Sequence, residues 1–264
     1  MLQINHQILE NELKRNLIKP YKLIRNLFFA ALTTLAGMFL GMLIHTFHRG
    51  LPYIAANVFI WSLATYNASQ LGSDPSNVRQ YLKNKISLKD IFIAKNLSLF
   101  ILAFPIDFLL IVLACSILND WSSFRQAMGL GISSVIICLG LGNIVSTLWV
   151  YEPLPFLSIK KDRQKLLDWG AFFTFASISA TLALMIAFLA GGLIVKLIDI
   201  STTKGAIAGL IIILGWSIGC WVLCLYISNR ILDGDKQKFI SKLDGEVNLV
   251  NNKRLQKILK IKQQ

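Results

Sequence analysis

Six stretches of this chain are apolar over the length of a bilayer-crossing helix, and no other feature constrains the fold as strongly. They fall near Leu27 to Phe47, Leu51 to Ser69, Leu97 to Leu118, Gln126 to Val150, Trp169 to Ile198 and Gly205 to Ser228. Roughly 20 apolar residues in a helix cross the hydrocarbon core. The runs are continuous, without the period-two alternation of outer-membrane barrel strands. The expected fold class is therefore an all-α membrane protein with six transmembrane helices. Charged residues make up only 16% of the chain, against about 25% in soluble domains. The first run follows Glu10 and Glu12 and is too long for the apolar region of a cleaved signal peptide. The fifth exceeds what a span needs, so it should tilt, break at Gly191-Gly192 or end in a short external helix.

A net charge of +13 would point to nucleic acid in a soluble protein. Here the charge is segregated instead. With both termini inside, segments 1–26, 70–96, 151–168 and 229–264 hold 23 of the 27 Lys and Arg. Only Arg49, Arg125, Lys196 and Lys204 remain outside. That is the positive-inside pattern, and it assigns both termini to the cytosolic side of what we expect to be a bacterial cytoplasmic membrane. No nucleic-acid partner is expected.

Three regions follow. Residues 1–26 form an N-terminal amphipathic interfacial segment, with Leu9, Leu13 and Leu17 at helical spacing and Ile8 and Ile18 beside them. Glu10, Glu12, Lys14 and Arg15 fall mainly on the opposite side. Residues 27–228 form the transmembrane domain, with cytosolic loops 70–96 and 151–168. Residues 229–264 form a basic cytosolic tail suited to the anionic lipids of the inner leaflet.

The chain has no G-x-x-x-x-G-K-[ST], H-E-x-x-H or C-x-x-C, and its one G-x-S-x-G match, Gly215 to Gly219, lies inside a predicted span and not at a strand-to-helix turn, so neither a catalytic residue nor a bound nucleotide is expected. Cys115, Cys138, Cys220 and Cys224 all lie in predicted spans and read as small packing residues, with no metal site among them. Asp107, in "LAFPIDFLL", is the one acid deep in a span. Either it serves function by facing a polar cavity, or it caps backbone groups freed by Pro105. Asn57 and Asn143 are expected to hydrogen-bond between helices. Gly37/Gly41, Gly205/Gly209 and Gly215/Gly219 permit close helix approach, within the chain or across a dimer.

The longest polar interruption, "SDPSNVRQYLKNKISLKDIFIAKN" from Ser73 to Asn96, has two helix starts. Asp74 or Ser73 can cap a helix beginning at Pro75. Val78, Tyr81 and Leu82 give that helix an apolar stripe, and Asn84 ends it. Ser87-Leu-Lys-Asp90 is a second cap, opening a helix that enters the third span. A connector without a task needs neither two caps nor a stripe, so the segment reads as a docking element.

This layout resembles the type-2, exporter-type permease of ATP-binding-cassette transporters. "YLKNKISLKDIFIAKNL" is similar to the family's leucine, polar gap, serine turn and lysine-bearing helix before span three. "LGLGNIVSTLWVYEP" is similar to the Gly-Asn-hydrophobic-Val-Ser stretch at the inner end of span four. The chain departs from the family in its short loop between spans five and six, where many members have external helices. The resemblance implies a coupling helix, carried by Asp74, Pro75, Val78, Arg79, Tyr81, Leu82 and Lys85 with the Ser87 and Asp90 cap, that sits in a groove of a separate cytosolic ATPase. A second, lesser contact would come from 151–168. ATP and magnesium would reside on that partner, and the permease would work as a homodimer or a paired subunit. The alternatives are an ion-coupled carrier using Asp107 and a membrane scaffold or assembly protein that transports nothing.

Overall fold

A computed structural model describes residues 6–18, 21–43, 50–71, 75–84, 86–148, 163–197 and 203–234. The described residues are helical, with no strand among them. Eight helices follow in order: α1 His6–Ile18, α2 Tyr21–Leu43, α3 Leu51–Ala68, α4 Pro75–Lys83, α5 Leu88–Leu118, α6 Phe124–Leu148, α7 Arg163–Leu197 and α8 Thr203–Gly234. Four of them, α5 to α8, are long and apolar enough to cross a membrane. The chain is therefore an integral membrane protein. Helices α2 and α3 overlap the first two predicted spans.

Helix α6 is the centre of the bundle. In its most apolar stretch 61% of the residues are buried, against 22% for α8, and α6 packs on α3, α5, α7 and α8. Its sequence explains this position. Gly129, Gly131, Ser133, Ser134, Gly140 and Gly142 are all buried, and such small residues let neighbouring backbones approach from several sides. A Cβ on Gly140 would lie 3.1 Å from the Trp221 Cα of α8. Seven residues earlier, the Ser133 and Ser217 hydroxyls are 2.7 Å apart. Ser217 already donates to the Ile213 carbonyl, so Ser133 is the donor between the two helices. Phe59, Ile60 and Leu63 of α3, Ala103 and Ile111 of α5, and Val135 and Ile137 of α6 fill the core. Large apolar side chains of α2, α7 and α8, such as Phe39, Leu189 and Ile211, point outward, as suits helix faces bathed in lipid.

Helix α5 runs unbroken through Pro105 and ends at Asn119, whose left-handed backbone (φ 52, ψ 31) lets its N–H reach the last carbonyls. Asparagine tolerates that conformation better than most residues. Helix α7 is also unbroken. It passes straight through Gly191-Gly192, so of the three options for the fifth run, the break is excluded. At ~1.5 Å per residue its 35 residues exceed the roughly 30 Å hydrocarbon core.

The N-terminal segment differs from expectation in a specific way. Helix α1 forms, but Ile8 and Glu12 are its buried pair, at 2% and 1% exposure, and they face α5. Glu12 therefore belongs to the packed side, not to the polar face. Glu10 stays outside and pairs with Lys14 at 2.6 Å, which holds its carboxyl below the usual range.

Candidate functional site

Helix α4 is short, with nine residues, yet it is firmly seated. Val78 is fully buried in a cluster with Leu71, Ile91 and Phe92 beside it and Leu225 and Leu232 from the end of α8. Tyr81 and Leu82 pack on the same cluster as partly buried residues. The stripe read from the sequence is real, but Val78 spends it on the chain's own core. What α4 presents outward is polar: Gln80, Lys83 and Asn84 are exposed, and Asn77 and Arg79 are half-buried.

Both ends of α4 are fastened. Upstream, the Leu71 N–H donates to the Ser146 hydroxyl of α6 at 2.9 Å. Downstream, the Ile86 N–H reaches the Tyr81 carbonyl at 3.0 Å, the six-to-one bond that closes many helix C-termini. Ser87 then caps α5: its hydroxyl accepts from the Asp90 N–H at 3.2 Å and donates to the Asp90 carboxylate at 2.6 Å. The expected second cap is thus present. Asp74 and Lys85 lie outside the described residues, as do Ser73, 151–162 and the tail beyond Gly234.

Behind α4 lies a buried polar layer that sequence reading missed. Asn67, at the end of α3, donates to the Cys138 carbonyl of α6 at 2.6 Å. Gln70 donates to Asn67 and to the Asn96 side chain of α5 at 2.8 Å. Lys95 and Glu12 form an ion pair of 3.6 Å, their side chains only 5% and 1% exposed. The layer ties α1, α3, α5 and α6 together next to the α4 seat. Gly142 makes the Asn67 contact possible, since a Cβ there would fall 1.9 Å from the Asn67 amide nitrogen. A cavity of about 260 Å³ opens beside this layer between α5, α6 and α8, lined by Ile93, Asn96, Phe100, Leu139 and Trp221 among others.

The intramembrane candidates separate. Asp107 is 1% exposed and its Oδ1 has no hydrogen-bond partner among the described residues. Its other oxygen fits against Gly131, where a Cβ would lie at 2.8 Å. The expected alternative, capping of backbone groups freed by Pro105, is not seen among the described residues. Asn57 bonds its own helix, donating to the Tyr53 carbonyl at 2.6 Å. Asn143 is buried, with neither end of its amide partnered among the described residues. The interhelical bonding expected of Asn57 and Asn143 is carried by Asn67, Gln70 and Asn96. A Cβ on Gly37 would lie 3.3 Å from Val58 of α3, whereas one on Gly215 or Gly219 would meet nothing within 4 Å. All four cysteines are free thiols, three of them buried.

What this geometry defines is a helical integral membrane protein with a seated surface helix at one end of its bundle. Compared with family models, curated proteins and solved structures, the chain matches none of them.

Proposed function

We propose that the chain is the transmembrane permease subunit of an exporter of the ATP-binding-cassette kind, driven by a separate cytosolic ATPase that docks on α4. One observation carries the reading. Through Val78, helix α4 shares one buried cluster with the start of α5 and the end of α8; upstream the Leu71 N–H is bonded to Ser146 of α6, and downstream the chain runs into the Ser87 cap of α5. A displacement imposed on α4 would therefore pass directly into two long apolar helices. The distribution of Lys and Arg supports six spans with both termini on the cytosolic side, the side of α4. That side belongs to the bacterial cytoplasmic membrane in this reading.

The docking face is polar. Arg79, Lys83 and Gln80 meet an acidic groove on the ATPase, and ATP with magnesium stays on that partner. Cavities at helix interfaces favour transport over a scaffold role. The permease works as a dimer, for which the open Gly215 and Gly219 face of α8 is available. Lys83→Glu should weaken the permease–ATPase complex at least tenfold, about 1.4 kcal/mol or more, and rising salt should weaken the wild-type complex similarly. Binding that ignores both changes would remove the case for this face.

A second reading is favoured by the unpartnered Asp107 carboxylate, which an ion-coupled carrier would use. Transport driven by an ion gradient without ATP, and lost in Asp107→Asn, would establish it.

A further inference from the structure

A larger cavity, of about 390 Å³, lies at the opposite end of the bundle from α4, where α6 and α8 begin and α7 ends. Its volume falls in the range of small-molecule sites. Leu130, Ala187, Ile194 and Ile213 line the wall, each less than 10% exposed. Missing side chains hollow it out. A Cβ on Gly129 or Gly192 would meet nothing within 4 Å, and one on Gly191 would only touch Ile213 at 4.0 Å. Gly129 is buried and Gly192 exposed, so the glycines leave room both inside the wall and at the outer surface.

The rim has the opposite character. Tyr53, Arg125 and Gln126 stand there, with the Tyr53 hydroxyl donating to the Gln126 side-chain Oε1 at 2.5 Å. Arg125 is exposed and forms no ion pair among the described residues. The acid in the adjoining turn, Asp120, is already held by the Ser122 and Ser123 hydroxyls. Lys204, also exposed, adds positive charge at the start of α8. Phe188 and Leu210 also line the cavity and are 50% and 41% exposed, so its wall on that side is part of the apolar outer surface. An apolar chamber at that surface, with a lone guanidinium at its polar rim, matches a ligand with one long alkyl chain and an anionic head.

We propose that this cavity binds an acyl chain of an anionic amphiphile, with the chain among α6, α7 and α8 and the head group on Arg125. The inference stands apart from the transport reading, because binding to the isolated chain needs no ATPase. The test uses the full chain in nanodiscs with photoreactive palmitate, photoreactive phosphatidylglycerol and, as a neutral control, photoreactive phosphatidylcholine. We expect saturable crosslinking within 187–194 and 209–213 by an anionic probe, with palmitate and phosphatidylglycerol separating a free fatty acid from a phospholipid. Arg125→Gln should reduce that labelling severalfold, Arg125→Lys should largely retain it, and Gly192→Phe should block it in protein that remains monodisperse. Equal labelling by phosphatidylcholine, no effect of Arg125→Gln, or labelling spread over the outward faces of α2 and α8 would overturn the proposal.

Discussion

Asn67 and Gly142 are a matched pair. The amide crosses from α3 to a backbone carbonyl of α6, over a residue that has no side chain to obstruct it. Gly142→Ala should therefore lower thermal stability by the lost bond, about 0.6–2 kcal/mol, plus overpacking of about 1–3 kcal/mol. Asn67→Ala in the same molecule should relieve the overpacking, so the double mutant should be more stable than the sum of the two singles. Thermal unfolding in detergent checks this. Asp120 gives a second prediction. Ser122 and Ser123 donate to its carboxylate and hold its pKa below the ordinary value. Their contribution is present above about pH 3.9 and is lost as pH falls through the lower, folded value. Protection factors of the amides at the start of α6 should fall in that acid range, and Asp120→Asn should abolish the dependence.

At the scale of elements, the continuous apolar runs made the long helices legible, because length and composition suffice to identify a span. The Ser87 cap of α5 and the start of α4 at Pro75 were legible too, since Ser-x-x-Asp and Pro at N1 act within one turn. The partner of a helix face was not. Val78 reads as an unoccupied apolar position until Leu225 and Leu232, far along the chain, join its buried cluster. Glu12 likewise reads as a surface acid, because nothing local reveals Lys95. This pair fastens α1 to α5. Glu12→Gln leaves a buried lysine without its counter-charge, so we expect a loss of about 3–5 kcal/mol. Glu12→Leu combined with Lys95→Met should recover most of it, as measured by thermal unfolding; a double mutant as unstable as the single would show that the pair's charge is not what matters.

Across the whole molecule, the two proposed roles fall at opposite ends. One end holds α4, its polar outer face and the polar layer behind it. The other holds the glycine-hollowed cavity and Arg125. Motifs in the sequence pointed to the first end, because capping leaves a local signature. They were silent on the second, because a cavity is defined by space among helices and glycines occur throughout membrane spans. In the proposed reading, energy enters at α4 from a subunit that this chain lacks. The most direct test is to purify the protein from its native membrane and identify by mass whatever is bound to it. A Walker-motif ATPase is expected in stoichiometric amount, retained by wild type and lost in Lys83→Glu. A natively purified protein that carries no ATPase, under conditions that preserve α4, would contradict the proposed reading.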